Sequence, residues 1–170
     1  MAKPIGRIGI VNKEIDETTG SLTRANQVYH FAARNGSVGA TAGVLLANDT
    51  GIATCPASET AATFCIPLNL KQGDKITGFK VSGQLESAAN VATVDADLRA
   101  TTAVAGDLTD ASIGAITQIS KTADYLIADS KTGLSHSVIS GNSYYVLVTI
   151  TTAASTDVAL QGVEVTVTEN

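Results

Sequence analysis

Thr63-Phe64-Cys65-Ile66-Pro67-Leu68-Asn69-Leu70, closed by Lys71-Gln72-Gly73-Asp74, is the stretch on which the fold turns. Phe64, Ile66, Leu68 and Leu70 fall on one side of an extended chain, and Thr63, Cys65, Pro67 and Asn69 on the other. That period of two marks a half-buried strand. Pro67 has no N–H to give to a ladder, so the predicted strand lies at an edge or breaks there. Lys71 to Asp74 carries turn chemistry, and Phe79, Val81 and Leu85, with Gly83 among them, predict the strand that follows.

The same period recurs downstream. Ala92, Val94, Ala96 and Leu98 alternate with Thr93, Asp95, Asp97 and Arg99, a second amphipathic strand. Tyr144, Val146, Val148 and Ile150 alternate with Tyr145, Leu147 and Thr149, so both faces are partly apolar and the strand is expected to be central. In the last segment Val158 and Leu160 stand on even positions and Val163, Val165 and Val167 on odd ones. One regular strand cannot bury both sets, and Gly162 at the switch is the natural place for a β-bulge. Weaker strand patterns cover residues 28–33, 38–46, 113–121 and 134–139, which brings the count to eight or nine.

Composition agrees. Val, Ile and Thr supply 50 of the 170 residues, and β-branched side chains pack better on a pleated surface than in a helix. Strands of this length with connections as long as residues 101–111 suit a two-sheet antiparallel sandwich of jelly-roll type. An immunoglobulin-like sandwich is the rival, and its usual core Trp is missing from a chain with no Trp at all.

Charge divides the chain. The net charge is −5, yet residues 1–34 carry five Lys and Arg against three acids. An N-terminal arm of residues 1–27, polar from Asn12 to Gln27, is therefore expected ahead of a sandwich domain of residues 28–170. Within the arm, Ile5, Ile8 and Ile10 with Lys3, Arg7 and Lys13 suit addition to the edge of a neighbouring subunit or to an acidic surface. An acidic chain without clustered cations is not expected to coat nucleic acid. No apolar run is long enough for a transmembrane helix, and residues 1–12 do not read as a signal peptide, so synthesis in the cytosol and no membrane partner are expected. Cys55 and Cys65 are too few for a disulfide scaffold, and both are expected to be free and dispensable.

Chemistry-bearing patterns are sparse. Asp95 and Asp97 share a strand face at a spacing seen in calcium and acid/base pairs, but with Arg99 beside them they read as a solvated, charge-neutralised face. His30 and His136 are the only histidines, and Ser135 or Ser137 next to His136 lacks the G-x-S-x-G elbow of a hydrolase. Gly36, Gly39 and Gly43 lack the G-K-[ST] ending of a phosphate loop and read as sites of close backbone packing, near an oligomer axis. An enzyme, a cofactor and a metal are not expected. Carbohydrate binding, a common task of jelly rolls, needs exposed aromatic platforms, and only four Tyr and three Phe exist.

The succession Phe64-Cys65-Ile66-Pro67-Leu68, Lys71-Gln72-Gly73-Asp74-Lys75-Ile76, residues 91–99, Gly141-Asn142-Ser143-Tyr144-Tyr145-Val146-Leu147-Val148 and a closing Val-x-Val-x-Val strand resembles the jelly-roll head decoration, or cement, proteins of tailed bacteriophages. The resemblance spans residues 61–169 and is one of strand order. It implies a structural virion protein, a homotrimer seated on the major capsid protein with its arm reaching to neighbours, and it carries over no catalytic or ligand residue. A tail fibre or baseplate receptor-binding component and a carbohydrate-binding module are the alternative readings.

Overall fold

The computed structural model describes residues 13–15, 22–24, 26–39, 46–47 and 51–169. The strands are β1 (Lys13–Ile15), β2 (Leu22–Arg24), β3 (Asn26–Ala32), β4 (Ser37–Val38), β5 (Leu46–Ala47), β6 (Ala53–Cys55), β7 (Ala62–Leu68), β8 (Lys75–Val104), β9 (Asp107–Ile127), β10 (Ser130–Ser137), β11 (Ser143–Thr151) and β12 (Thr156–Thr168). A single 3-10 turn, Ala33–Asn35, follows β3. The fold is all-β and antiparallel, a sandwich of jelly-roll type, as the alternating patterns predict.

One strand organises it. The first half of β8 pairs β12, which carries β6 and β3 on its other side, and the second half pairs β11, which carries β7 and then β4. β9 follows β8 back along the opposite side, from Val104↔Asp107 to Gly83↔Ile127, and β10 pairs β8 at Lys75 to Lys80. The sheet curls so that both halves bury their inner faces in one core. Ile76, Val81, Leu85, Val158, Leu160, Val165 and Val167 come from one half, and Phe64, Ile66, Val94, Leu98, Val146, Val148 and Ile150 from the other.

Each change of phase in the sequence is a bulge or bend. The β12–β8 register shifts between Leu160 and Gly162, as the even-to-odd switch predicts, and the exposed Gln161 is the extra residue. Thr77 is extra on β8, which moves the buried set from Ile76 to Phe79 and Val81. Between Leu85 and Ala92 the strand bends from one layer to the other, and its buried positions go from odd to even. Ser87 Oγ donates to the Asn90 carbonyl and Asn90 Nδ2 donates to the Ala154 carbonyl at this bend.

β11 is central, between β7 and β8, as expected. Pro67 is exposed on β7 beyond the two residues, Phe64 and Cys65, that β4 covers. Two expectations need correction. Residues 79–85 and 92–99 are parts of one 30-residue strand, not two strands. Residues 101–111 are not a long connection: they form the tip of the β8–β9 hairpin, turning at Ala105 (φ +49°) and Gly106 (φ +93°). Positive φ at both central residues is what a type I′ hairpin turn requires, and Ala in place of the usual Asn or Asp concealed it.

The cysteines are free but not alike. Cys65 is half-buried on the outer face of β7, whereas Cys55 is fully buried in the core, and burial pushes its thiol up to about 11. Their joint dispensability is thus corrected for Cys55. The Thr152 hydroxyl beside the sulfur already donates to the Pro56 carbonyl, so a buried serine hydroxyl is poorly compensated, and Cys55→Ser is expected to lower the unfolding free energy by about 1–3 kcal/mol, while Cys65→Ser stays near zero. Urea unfolding of the two single variants checks the contrast.

Candidate functional site

β7, β11, β8 and β9 present a second face to solvent, opposite the core. The registers bring Pro67, Tyr145, Arg99 and Ser112 into one row across it, and Cys65, Leu147, Asp97 and Ala115 into the next. Arg99 is the hub. Its Nε donates to Asp110 Oδ2 at 2.8 Å and its Nη1 donates to Asp97 Oδ2, while Ser112 Oγ donates to the other Asp97 oxygen. The hydrogen bonds to Asp110 and Asp97 hold the guanidinium charged, and Arg99 in turn holds the Asp110 carboxyl below the usual carboxylate range. Tyr145 is raised by burial and by its hydrogen bond to Asp110.

Asp95 has a different task. On β9, Thr117 and Gln118 together oppose Asp95 alone, since the register jumps from Val94↔Ile119 to Ala96↔Ile116. Gln118 has φ +55°, and its N–H donates to Asp95 Oδ1 at 2.7 Å. The carboxylate thus caps a bulge. The pattern Asp95, Asp97, Arg99 is a neutralised face, as expected, with both Asp97 oxygens and Asp95 Oδ1 engaged by donors of the chain itself. Among the described residues no cluster of three or more metal-ligating side chains occurs.

The other expected positions disperse. His30 is exposed on β3, with Nδ1 3.8 Å from Glu164 Oε1, which also meets Lys80 Nζ at 3.4 Å. His136 lies on β10 with its ring edge-on to Tyr144, 5.7 Å between centroids. Its Nε2 is buried without a hydrogen-bond partner among the described residues. Gly36 and Gly39 do serve close packing: a Cβ on Gly36 would lie 2.6 Å from Phe64 Cζ, and one on Gly39 would lie 1.9 Å from Thr63 Oγ1. Of the arm residues, Lys13 opens β1 opposite Arg24, and Lys3, Ile5, Arg7, Ile8 and Ile10 lie outside the described residues, as does Gly43.

Burial lowers the His136 pKa from 6.5. The unfolded chain therefore binds the proton more readily than the folded one, and the His136 contribution to stability is constant above about pH 6.5 and falls as the pH drops below it. His136→Phe is expected to flatten that slope between pH 6.5 and 5, a window above the range in which Asp110 loses its charge. Urea midpoints at pH 7.5 and 5.5 for both proteins check it.

Sequence reading missed one surface. The hairpin beyond Thr101, the last residue of β8 paired to β11, carries Val104 at 53% exposure and Leu108 at 76%. Leu126, farther along β9, is 75% exposed and walls a shallow hollow of about 280 Å³ with Gly51, Ile52, Gly83 and Ala159. The signal was Val104-Ala105-Gly106-Asp107 between Thr101-Thr102 and Leu108-Thr109. In contrast, none of the seven aromatic rings is exposed: Phe64, Phe79 and Tyr144 are buried, and Tyr29, Phe31, Tyr125 and Tyr145 are half-buried.

No family model matches the chain, and no curated protein sequence matches it. Among solved structures, it is similar to the CBM36-1 domain of a multidomain xylanase from the hindgut metagenome of Trinervitermes trinervoides, at 12% identity over 83% of this chain and 96% of that one, with a TM-score of 0.47. It is similar to the CBM22-1–GH10 modules of Clostridium thermocellum xylanase 10B at 13% identity, covering 84% of this chain and 28% of the other, TM-score 0.49. It is similar to the infectious bursal disease virus Gt strain structure at 14% identity, covering 99% of this chain and 41% of the other, TM-score 0.40.

Proposed function

We propose that this chain is a structural virion protein, a decoration protein that binds the outer surface of a phage head as a homotrimer and stabilises the shell formed by the major capsid protein. The observation that carries the reading is that the described outer face offers area and edges but no site. Arg99, Asp97, Asp110, Ser112 and Asp95 are satisfied within the chain. Sugar recognition relies on an exposed ring stacked on the pyranose, and every aromatic ring is at least half-buried. β9, in turn, runs for 21 residues with β8 as its ladder partner, leaving a long edge to which a strand of a neighbour can add. The role is non-catalytic, and the finished protein resides on the particle.

In this reading residues 1–27 are the attachment arm, with Lys3, Arg7 and Lys13 facing an acidic shell and Ile5, Ile8 and Ile10 forming an added strand. Occupancy on stripped capsids, measured at equal protein concentration, is expected to fall when residues 1–12 are deleted, while the melting temperature of the sandwich stays unchanged. Unchanged occupancy would overturn the arm assignment. Absence of binding to heads, with retention on a xylan or other polysaccharide column, would instead support the carbohydrate-binding alternative, and attachment only to tails would support a fibre or baseplate part.

A further inference from the structure

Asn35-Gly36 is the one Asn–Gly pair of the chain. An Asn side-chain amide is thermolabile, and a following Gly places no Cβ beside the backbone nitrogen that attacks it. Asn35 is exposed at the end of the 3-10 turn, and its side chain makes no hydrogen bond among the described residues. It is free to react.

The backbone behind it is not free. The Gly36 N–H donates to the Ala33 carbonyl at 2.8 Å, and the place of a Gly36 Cβ lies 2.6 Å from both the Cys65 carbonyl oxygen and Phe64 Cζ. Ser37 and Val38 then pair Cys65 and Phe64, and the Gly39 N–H donates to the Thr63 carbonyl at 2.8 Å. β4 is only two residues long, and both are exposed. A docking that short opens locally, at a small part of the cost of global unfolding.

We propose that Asn35-Gly36 is a site of spontaneous modification gated by β4, closed while β4 is docked on β7 and reactive when β4 lifts. In the open state the Gly36 nitrogen gives its proton to solvent and attacks Asn35 Cγ. A new C–N bond forms, the side-chain amide C–N bond breaks, and ammonia leaves behind a five-membered succinimide. Water then adds to either ring carbonyl and opens it, to Asp at position 35 or to an isoaspartyl residue whose main chain runs through Cβ and Cγ. Water is the only co-reactant, and nothing is oxidised or reduced. In the docked state the same N–H is engaged by Ala33, and Gly36 cannot swing toward the side chain without driving into Phe64 and Cys65.

The two products differ in consequence. Asp at position 35 keeps the backbone and adds a negative charge beside Arg34. The isoaspartyl form lengthens the main chain by one atom directly ahead of Gly36, where the packing leaves no slack, so β4 cannot return in register. A transient opening thus becomes permanent, and the edge of β7 from Thr63 to Cys65 stays uncovered. The modification is independent of any shell and goes beyond the function proposed above.

Peptide mapping by mass spectrometry, after incubation in mildly alkaline buffer, tests it. Conversion of Asn35 in the native protein is expected to be at least about tenfold slower than in the same chain in urea. Gly39→Ala, whose Cβ would run into the Thr63 hydroxyl, is expected to react several-fold faster than native wild type. Its circular dichroism, and the conversion of Asn142 ahead of Ser143 as a control for global unfolding, should stay unchanged. Equal rates in the native and urea-unfolded wild type, a comparison that needs no variant, would overturn the proposal, as would no conversion in urea or a folded Gly39→Ala that reacts like wild type. Hydrogen exchange at the Gly39 amide then separates the products: protection is expected to persist in Asn35→Asp and to be lost in the isoaspartyl chain, and equal protection in the two would reject the permanent opening.

Discussion

Phe64→Ala is expected to lower the unfolding free energy by about 3–5 kcal/mol and the melting temperature by about 6–20 °C. Phe64 is 1% exposed and among the largest fully buried side chains, on β7, where it pairs Val148 in the central strand. Its ring is also the floor on which Gly36 rests, with Phe64 Cε1 and Cζ 2.7 and 2.6 Å from the place of a Gly36 Cβ. Removing the ring therefore opens a cavity and frees the segment that leads into β4. Leu70 and Pro67 on the same sequence stretch serve as controls, being half-buried and exposed, and each is expected to cost less than about 1 kcal/mol when replaced by Ala. Denaturant unfolding of the three variants decides it, and equal losses would mean that the β7 face does not face the core.

The second large effect belongs to Gly162. A Cβ there would lie 2.2 Å from the Phe31 carbonyl oxygen, 3.1 Å from its carbon and 3.2 Å from Ala32 Cα, all backbone atoms of the paired β3. No rotamer relieves such a contact. Gly162→Ala must either lift β3 off the sheet or flatten the bulge, and flattening turns Val158 and Leu160, or else Val163, Val165 and Val167, away from the core. A loss of about 3 kcal/mol or more is expected. Gly73→Ala is the comparison: Gly73 has φ +92° but nothing within 4 Å of its absent Cβ, so only backbone strain of about 1–2 kcal/mol applies. Equal losses at the two glycines, read by thermal melting, would remove the close approach as the cause.

These two positions show what the sequence made legible. Phe64, Ile66 and Leu68, or Val146, Val148 and Ile150, repeat at period two because each strand has one wet and one dry face, and that period is visible in the letters alone. The bulge at Gly162 was legible for the same reason, as a break in phase with a glycine on it. The bend in β8 was not, since Ser87 to Asn90 breaks the phase with residues that also suit a loop, and only tertiary contacts, the pairing of Ala88 with Ala123 on β9 and of Ser87 with Thr156 on β12, keep it extended. Asp95 was legible as a member of a charged face but not as the cap of a bulge, because Gln118 lies 23 residues away and its positive φ leaves no mark on its identity. The same holds for the hairpin end: Leu108 reads as one more apolar residue until the strand around it is seen to have outrun its neighbours.

The 30-residue β8 has a kinetic consequence. Because it belongs to both layers, neither can complete its ladders while the other is unformed, and its partners β11 and β12 lie far from it in sequence. A chain of this kind forms slowly, and once formed it has no seam along which half could melt first. Stretched or heated, the body is expected to give way in one step, with chevron kinetics showing a single unfolding limb and no shoulder, and with hydrogen exchange in β11 and β12 occurring only through that global event.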